Sequence, residues 1–403
     1  MSDVSDNPLL KGLPLLGDLP DLDGASVLVR VDFNVPLKAC AGEASTVTDD
    51  FRIRAALPTL NYLLERGASV TACTHLGRPD GAPDTRWDLG PVRDELSRLA
   101  PQVELLENLR FDPGEESNDP TFVDKLVNGH DAYVNDAFGV SHRSHASVVG
   151  PPSRLPSAAG FLLQREIEVL GGLLGQPARP FIAVVGGAKV GDKLGVLRAL
   201  SDRVDLLIVG GGMSYTFLAA AGHDVGDSLV DEERIGDCAE LLASGRPILL
   251  PTDIVTLEPG ADFGCDCSGG EVRITGTDIP TGWQGLDMGP QTVEAFAAQI
   301  GAAATVLWNG PMGVFEDARF NAGTAGIARA AADSPGFTIV GGGDSVAAVY
   351  EAGLADRIDF ISTGGGASLE LLELGDLPGL SALRGAVNAP SEAGRGVGSH
   401  SRR

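Results

Sequence analysis

Four glycine clusters mark where this chain is equipped for chemistry. Gly186-Gly187-Ala188-Lys189, Gly210-Gly211-Gly212, Gly341-Gly342-Gly343-Asp344 and Gly364-Gly365-Gly366 each follow a short apolar run and precede a helical pattern. Glycine lets backbone N–H groups approach a phosphate closely, and a helix N-terminus adds favourable partial charge. One such loop is equally well explained by tight packing of a strand on a helix. Four in one half of the chain point to a phosphate or nucleotide site. Neither G-x-x-x-x-G-K-[ST] nor a G-x-G-x-x-G at a strand end is present, so neither a P-loop nor a dinucleotide fingerprint accounts for them.

Lysine usage sharpens the assignment. Only five of the 30 basic residues are lysine (Lys11, Lys38, Lys125, Lys189 and Lys193), and two of these flank one glycine cluster. Their i, i+4 spacing predicts that they open a helix on one face, about 6 Å apart along its axis. Two cations there repel each other and oppose the helix dipole, so a bound polyphosphate is the natural counterion. Asp344 is either an N-cap or a ligand for Mg²⁺ carried in on a nucleotide, since Mg²⁺ takes few protein carboxylates beside phosphates. Asn309 and Glu316 are candidates for a ribose contact, with a surface turn as the alternative.

The first half offers different chemistry. Asp32 and Asn34 follow the first strand pattern, and Arg52, His75, Arg78, Arg110, His142 and Arg143 recur at or after strand ends. The planar guanidinium suits carboxylate and phosphate bidentately, so such a cluster in an acidic chain implies a small anionic substrate. Scattered surface ion pairs are the alternative. His142 and His145 make a poor metal pair, because Arg143 stands between them and no further ligand has the right spacing.

These residues need elements to hold them. Apolar runs at 27–31, 69–73, 103–106 and 132–134, then at 181–185, 206–209, 248–250, 305–308, 338–340 and 358–361, alternate with helical patterns. Several are continuous in Val, Ile and Leu, as expected of parallel strands covered on both faces. The fold class is α/β, with two sheets. A helix over 164–174, closed by Pro177 and Pro180, separates the two groups. The uncharged stretch 206–222 splits into strand, turn and helix and is not a membrane span.

A chain of 403 residues suits two domains, and its formal charge of −25 excludes a nucleic-acid footprint or an anionic membrane as partner. An acidic surface almost stripped of lysine is expected of a protein from a halophilic organism. The five cysteines form no even framework, and Cys265 and Cys267 are expected to be free thiols in a reducing cytosol. No signal peptide is visible. A dehydrogenase on paired α/β domains and a non-catalytic anion-binding scaffold are readings from other classes, and the missing dinucleotide fingerprint counts against the first.

Arg30-Val31-Asp32-Phe33-Asn34-Val35-Pro36, Thr74-His75-Leu76-Gly77-Arg78-Pro79, Glu107-Asn108-Leu109-Arg110-Phe111 and Asn135-Asp136-Ala137-Phe138-Gly139-Val140-Ser141-His142-Arg143 resemble the phosphoglycerate kinase family. So do the segments 186–189, 210–213, 308–311, 341–344 and 362–367, in the family's order. The resemblance implies two Rossmann-like, doubly wound parallel-sheet domains joined by a hinge helix. A domain of residues 1–170, joined by a returning segment 374–388, would bind 3-phosphoglycerate or 1,3-bisphosphoglycerate. Asp32, Asn34, Arg52, His75, Arg78, Arg110, His142 and Arg143 would make that site. A domain of residues 178–373 would bind ADP or ATP with Mg²⁺ through Lys189, Lys193, Gly211, Asn309, Glu316, Gly341, Gly342, Gly343, Asp344 and Ser345. Arg52, Lys189, Lys193 and the amides near Gly342 and Gly365 would surround the transferred group. The resemblance further implies a cytoplasmic glycolytic and gluconeogenic monomer that closes about its hinge. Residues 389–403 form an additional tail, expected to be disordered. Thr74, Met312 and Ser345 depart from the family's frequent residues, as does the absence of a lysine near Gly375-Asp376, and none of these removes a catalytic group.

Overall fold

The computed structural model of the protein describes residues 7–38, 45–264 and 269–388. The expected thiols Cys265 and Cys267 and the tail 389–403 lie outside the described residues. Two compact units make up the chain, Leu9–Arg165 with the segment from Asp376, and Glu166–Gly375.

Among the described residues, seven strands belong to the first unit: β1 (Ser26–Val31), β2 (Leu37–Lys38), β3 (Thr46–Val47), β4 (Ser69–Cys73), β5 (Glu104–Leu105), β6 (Ala132–Asp136) and β7 (Ser157–Ala159). Five form a sheet of order β5-β4-β1-β6-β7 with every pairing parallel, while β2 and β3 make a small antiparallel pair. In β1 the side chains of Val27, Leu28, Val29 and Val31 are all fully buried, which is why that run does not alternate. The helix Phe51–Glu65 lays Ile53, Ala56, Leu60 and Leu63 onto the sheet at helical spacing. The final helix, Pro378–Asn388, packs into this unit through Leu380 and Leu383, and Gly379 N donates to Ser141 O at 2.9 Å.

The second unit contributes β8 (Phe181–Val185), β9 (Leu206–Val209), β10 (Ile248–Leu249), β11 (Ile254–Leu257), β12 (Val272–Thr275), β13 (Gln284–Met288), β14 (Thr305–Asn309), β15 (Phe337–Gly341) and β16 (Phe360–Ile361). Six of them form an all-parallel sheet of order β10-β9-β8-β14-β15-β16. Counted within its own sheet that order is 3-2-1-4-5-6, the dinucleotide-fold arrangement, and the first sheet repeats it without the sixth strand. A three-stranded antiparallel sheet, β12-β11-β13, is added to the second unit, and neither it nor β7 is anticipated by the apolar runs. β13 carries Gly285 and Asp287, and β7 is only Ser-Ala-Ala, so neither has the composition of a buried strand.

The stretch 206–222 resolves into β9 and a helix, Met213–Ala220, and no described helix is long and apolar enough to cross a membrane. The helix expected at 164–174 is Phe161–Leu174. Its earlier start has a cause: Asp136, at the end of β6, accepts from Leu162 N (2.9 Å) and Leu163 N (3.2 Å), and Thr59 Oγ1 accepts from Phe161 N at 2.9 Å. The division between units falls inside this helix, after Arg165.

Candidate functional site

In an open parallel sheet, ligands sit beyond the carboxyl ends of the strands where the strand order reverses. Those points lie between β1 and β6 in one unit and between β8 and β14 in the other.

In the first unit, Asp32 follows β1 directly and is ion-paired with Arg52, in the first turn of the helix Phe51–Glu65. His75 Nδ1 lies 3.9 Å from the other carboxylate oxygen. Burial alone would raise the Asp32 carboxyl, yet the Arg52 and Arg30 guanidinium groups and the Asn34 N–H hold it below its ordinary value. Burial drives the His75 imidazole well below its ordinary value, and Arg30, Arg110 and Arg52 add to that against Asp32. His75 is therefore neutral at pH 7, and the charge pairing here is Asp32 with arginine. Behind it lies a buried chain absent from the sequence-derived candidates. Arg30, fully buried, donates to Val31 O, donates to Ser147 Oγ at 2.8 Å and sets Nη2 3.3 Å from His75 Nδ1. Ser147 in turn donates through Oγ (2.6 Å) and N (2.9 Å) to the fully buried Glu115.

The loop after β4 is held from two sides. Asn34 Oδ1 accepts from Gly77 N at 3.0 Å, and Arg110 Nη1 donates to Gly77 O at 2.7 Å. Only glycine fits at 77, where φ is +60° and a Cβ would lie 2.1 Å from the Trp87 ring. Arg110 also pairs through Nε with Glu116 at 3.0 Å. Arg78 and Arg143 are exposed on the neighbouring loops. His142 is partly buried, and burial, aided by Arg143 and His145, takes its imidazole down to about 4. Neutral histidines among these guanidinium groups suit a small anion.

In the second unit three loops are stitched together by backbone hydrogen bonds. Pro311 O accepts from Gly187 N (3.0 Å) and Met312 O accepts from Gly211 N (3.2 Å), which joins the loops after β8, β9 and β14. Met312 is buried, and its side chain fills the space that a Cβ at Gly186 or Gly210 would need. Lys193 reaches into this junction: its Nζ donates to Gly186 O at 2.7 Å and to Asn309 Oδ1 at 2.9 Å. Burial lowers the Lys193 ammonium to about 8, with Asp344 and Asp192 opposing. Ser345 Oγ, buried, accepts from Gly310 N at 2.6 Å and ties the loop after β14 to the helix Gly343–Glu351. Gly342 caps that helix at φ +91°, and Gly365 caps the helix Gly366–Leu374 at φ +52°. Gly341 ends β15 and Gly343 begins the helix, so the whole cluster sits at the carboxyl edge of the sheet.

One local expectation is corrected. Lys189 and Lys193 do not share a helical face: the helix begins at Leu194, Lys193 is its N-cap, and Lys189 is exposed on the preceding turn. Val190, buried, and Gly191, whose N–H donates to Asp231 at 3.1 Å, hold that segment in turns instead. Asn309 is 4% exposed and bonded to Lys193, while Glu316 is exposed further along the same loop. Asp344 is exposed in the first helical turn, one of the carboxylates whose charge acts on Lys193. Among the described residues no group of three or more His, Cys, Asp or Glu could hold a metal. Asp344 offers a cation one exposed carboxylate at this edge of the sheet, and Mg²⁺ takes few protein carboxylates when phosphates supply the rest.

The phosphoglycerate kinase family model matches residues 16–105 and 99–374. The chain belongs to the phosphoglycerate kinase family. It is 50% identical over 388 residues to phosphoglycerate kinase of Rubrobacter xylanophilus, covering 90% of this chain and 96% of the relative. It is 48% identical over 399 residues to that of Chloroflexus aurantiacus, covering 91% and 98%. Among solved structures, phosphoglycerate kinase from Coxiella burnetii superposes with a TM-score of 0.80 at 34% identity, covering 92% of this chain and 98% of that one. The chain is a glycolytic kinase that transfers phosphoryl to a carboxyl acceptor, which removes the dehydrogenase and scaffold alternatives.

Two residues that hold the sites escape a reading of the sequence for different reasons. Arg30 leaves a signal, a lone charge inside the apolar run of β1. Glu166 leaves none, because it looks like the solvated face of an amphipathic helix. It is 2% exposed and accepts from Ser362 Oγ (2.8 Å), Thr363 N (2.6 Å) and Thr363 Oγ1 (2.8 Å), which fixes the loop leading to Gly365.

Proposed function

We propose that the first unit binds 3-phosphoglycerate or 1,3-bisphosphoglycerate, that the second binds ADP or ATP, and that phosphoryl passes between them. The observation that carries this is the junction of three loops at the β8–β14 switch point with Lys193 seated in it. Lys193 steadies the nucleotide phosphates, and Lys189, Arg52 and the helix N-terminal amides near Gly342 and Gly365 neutralise the equatorial oxygens of the moving group. Asp32, Asn34, His75, Arg78, Arg110, His142 and Arg143 orient the three-carbon substrate. No general base is required, because the acceptor carboxylate is already ionised. Asp344 would be the protein carboxylate for a Mg²⁺ carried in on the nucleotide, which would supply neutralisation of phosphate charge. A coupled assay with ATP and 3-phosphoglycerate tests the whole assignment: turnover is expected, and its absence with both substrates at millimolar concentration would refute it.

Reacting atoms must come within about 3–3.5 Å, so substrates held on separate units require the units to close and exclude water. The helix Phe161–Leu174 and the return at Gly375-Asp376 are the connections that would flex. Small-angle scattering is expected to show compaction with both substrates bound, and an unchanged radius of gyration counts against closure. The enzyme is proposed to act as a cytoplasmic monomer. The charge of −25 with five lysines favours an origin in concentrated salt. Full activity and stability without KCl would remove that proposal.

A further inference from the structure

We infer that Asp287 is a positioning residue for the nucleotide loops, acting through the start of the helix Ala322–Asp333 on the backbone of Pro311 and Met312. It rests on the nucleotide assignment proposed above and adds a residue that touches neither substrate. Asp287 lies near the end of β13 and is 1% exposed. Its Oδ2 accepts from Gly323 N at 2.8 Å, and its Oδ1 from Met288 N at 2.9 Å. The next helical residue, Thr324, is 1% exposed and accepts through Oγ1 from Met312 N at 2.9 Å. Met312 O and Pro311 O then receive Gly211 N and Gly187 N at 3.2 and 3.0 Å. Hydrogen bonds joined through the adjacent residues Gly323 and Thr324 thus lead from one carboxylate to the loops after β8 and β9.

Asp287 also meets the loop directly. A Cβ at Gly313 would lie 2.3 Å from Asp287 Oδ1, and one at Gly323 would lie 2.1 Å from it. Val314 N donates to Leu286 O at 2.9 Å, so the loop is laid along the strand that carries Asp287. An ordinary cap would be cheaper. The N-cap of this helix is Asn321, a residue type well suited to capping, yet its side chain makes no cap hydrogen bond. The task falls instead to a buried carboxylate 36 residues away in sequence. Burying a carboxylate is costly; what this arrangement adds over a local cap is a fixed relation between helix start, β13 and the loop after β14.

The test uses the full chain with the variants Asp287→Asn, Thr324→Val and Thr324→Ser. Titration calorimetry with Mg-ADP and separately with 3-phosphoglycerate is run well below each variant's melting temperature. In Asp287→Asn the amide sets an NH₂ against a backbone N–H, and ADP binding is expected to weaken about 10-fold while 3-phosphoglycerate binding is unchanged. KM for ATP rises more than kcat falls. Thr324→Val reproduces the loss and Thr324→Ser restores it, since the hydroxyl acceptor is what matters. Combining Asp287→Asn with Thr324→Val adds little, because both act along one path. A folded Asp287→Asn that binds ADP within about two-fold of the parent overturns the inference and leaves Asp287 a stabilising residue only. If Asp287→Asn does not fold, parental ADP affinity in Thr324→Val overturns it equally. A parent chain that binds no ADP would instead refute the nucleotide assignment itself.

Discussion

Glu166→Leu is expected to destabilise the second unit measurably and to slow turnover. The Glu166 carboxylate takes three hydrogen bonds at 2.6–2.8 Å from Ser362 and Thr363, both nearly buried. Leucine removes every acceptor at once. The two hydroxyls can turn elsewhere, and Ser362 Oγ already lies 2.7 Å from Ser368 Oγ, but Thr363 N cannot. One buried N–H left unmade, with two weakened hydroxyl bonds, amounts to about 2–3 kcal/mol. For a domain of this size that is a melting shift of roughly 4–12 °C. Glu166→Gln behaves differently: its oxygen can face Thr363 and its amide can donate to Ser362 Oγ, so the loss should stay near 1 kcal/mol. Differential scanning calorimetry of both variants, with kcat alongside, measures the effect. A leucine variant melting within about 2 °C of the parent, or a glutamine variant falling as far as leucine, would refute the reasoning.

Arg52→Ala is expected to lower kcat roughly 10³-fold, as for other phosphoryl-stabilising arginines, and near-normal kcat in steady-state assays would remove Arg52 from that role. Burial holds the Lys193 ammonium near 8 against its ordinary 10.5, and a bound polyphosphate would raise it again, so ADP binding at about pH 9 should take up protons. Calorimetry in buffers of different ionisation enthalpy checks this, and Lys193→Arg should abolish the uptake. For stability the same depression acts in the other direction: Lys193's contribution is present above about 10.5 and lost as pH falls through the window to about 8. Gly365→Ala meets no atom within 4 Å but must hold φ +52° with ψ −114°, so about 1–3 kcal/mol of stability should be lost by backbone strain alone, measurable by urea titration.

Much of the fold was legible because buried parallel strands leave an unambiguous trace. The runs 181–185 and 206–209 coincide with β8 and β9, and the glycine clusters stand at strand ends as their spacing required. The antiparallel sheet was not legible, since β12 alternates between exposed and half-buried positions and β13 contains Gly285 and Asp287. The lysine pair was placed on one helix because i, i+4 spacing is all that a sequence offers there. A buried Val190 and a hydrogen bond from Gly191 to Asp231 kept that segment in turns.

Residue type and order along the chain sufficed for the α/β class and for the family, because these depend on local pattern and composition. What required the tertiary structure was partnership. Arg52 with Asp32, Lys193 with Asn309, Glu166 with Thr363 and Asp287 with Gly323 are pairs 20, 116, 197 and 36 residues apart. Protonation followed the same rule. His75 is neutral and Lys193 is weakened chiefly because folding strips water from them, and desolvation belongs to a place in the packed molecule, not to a position in the sequence.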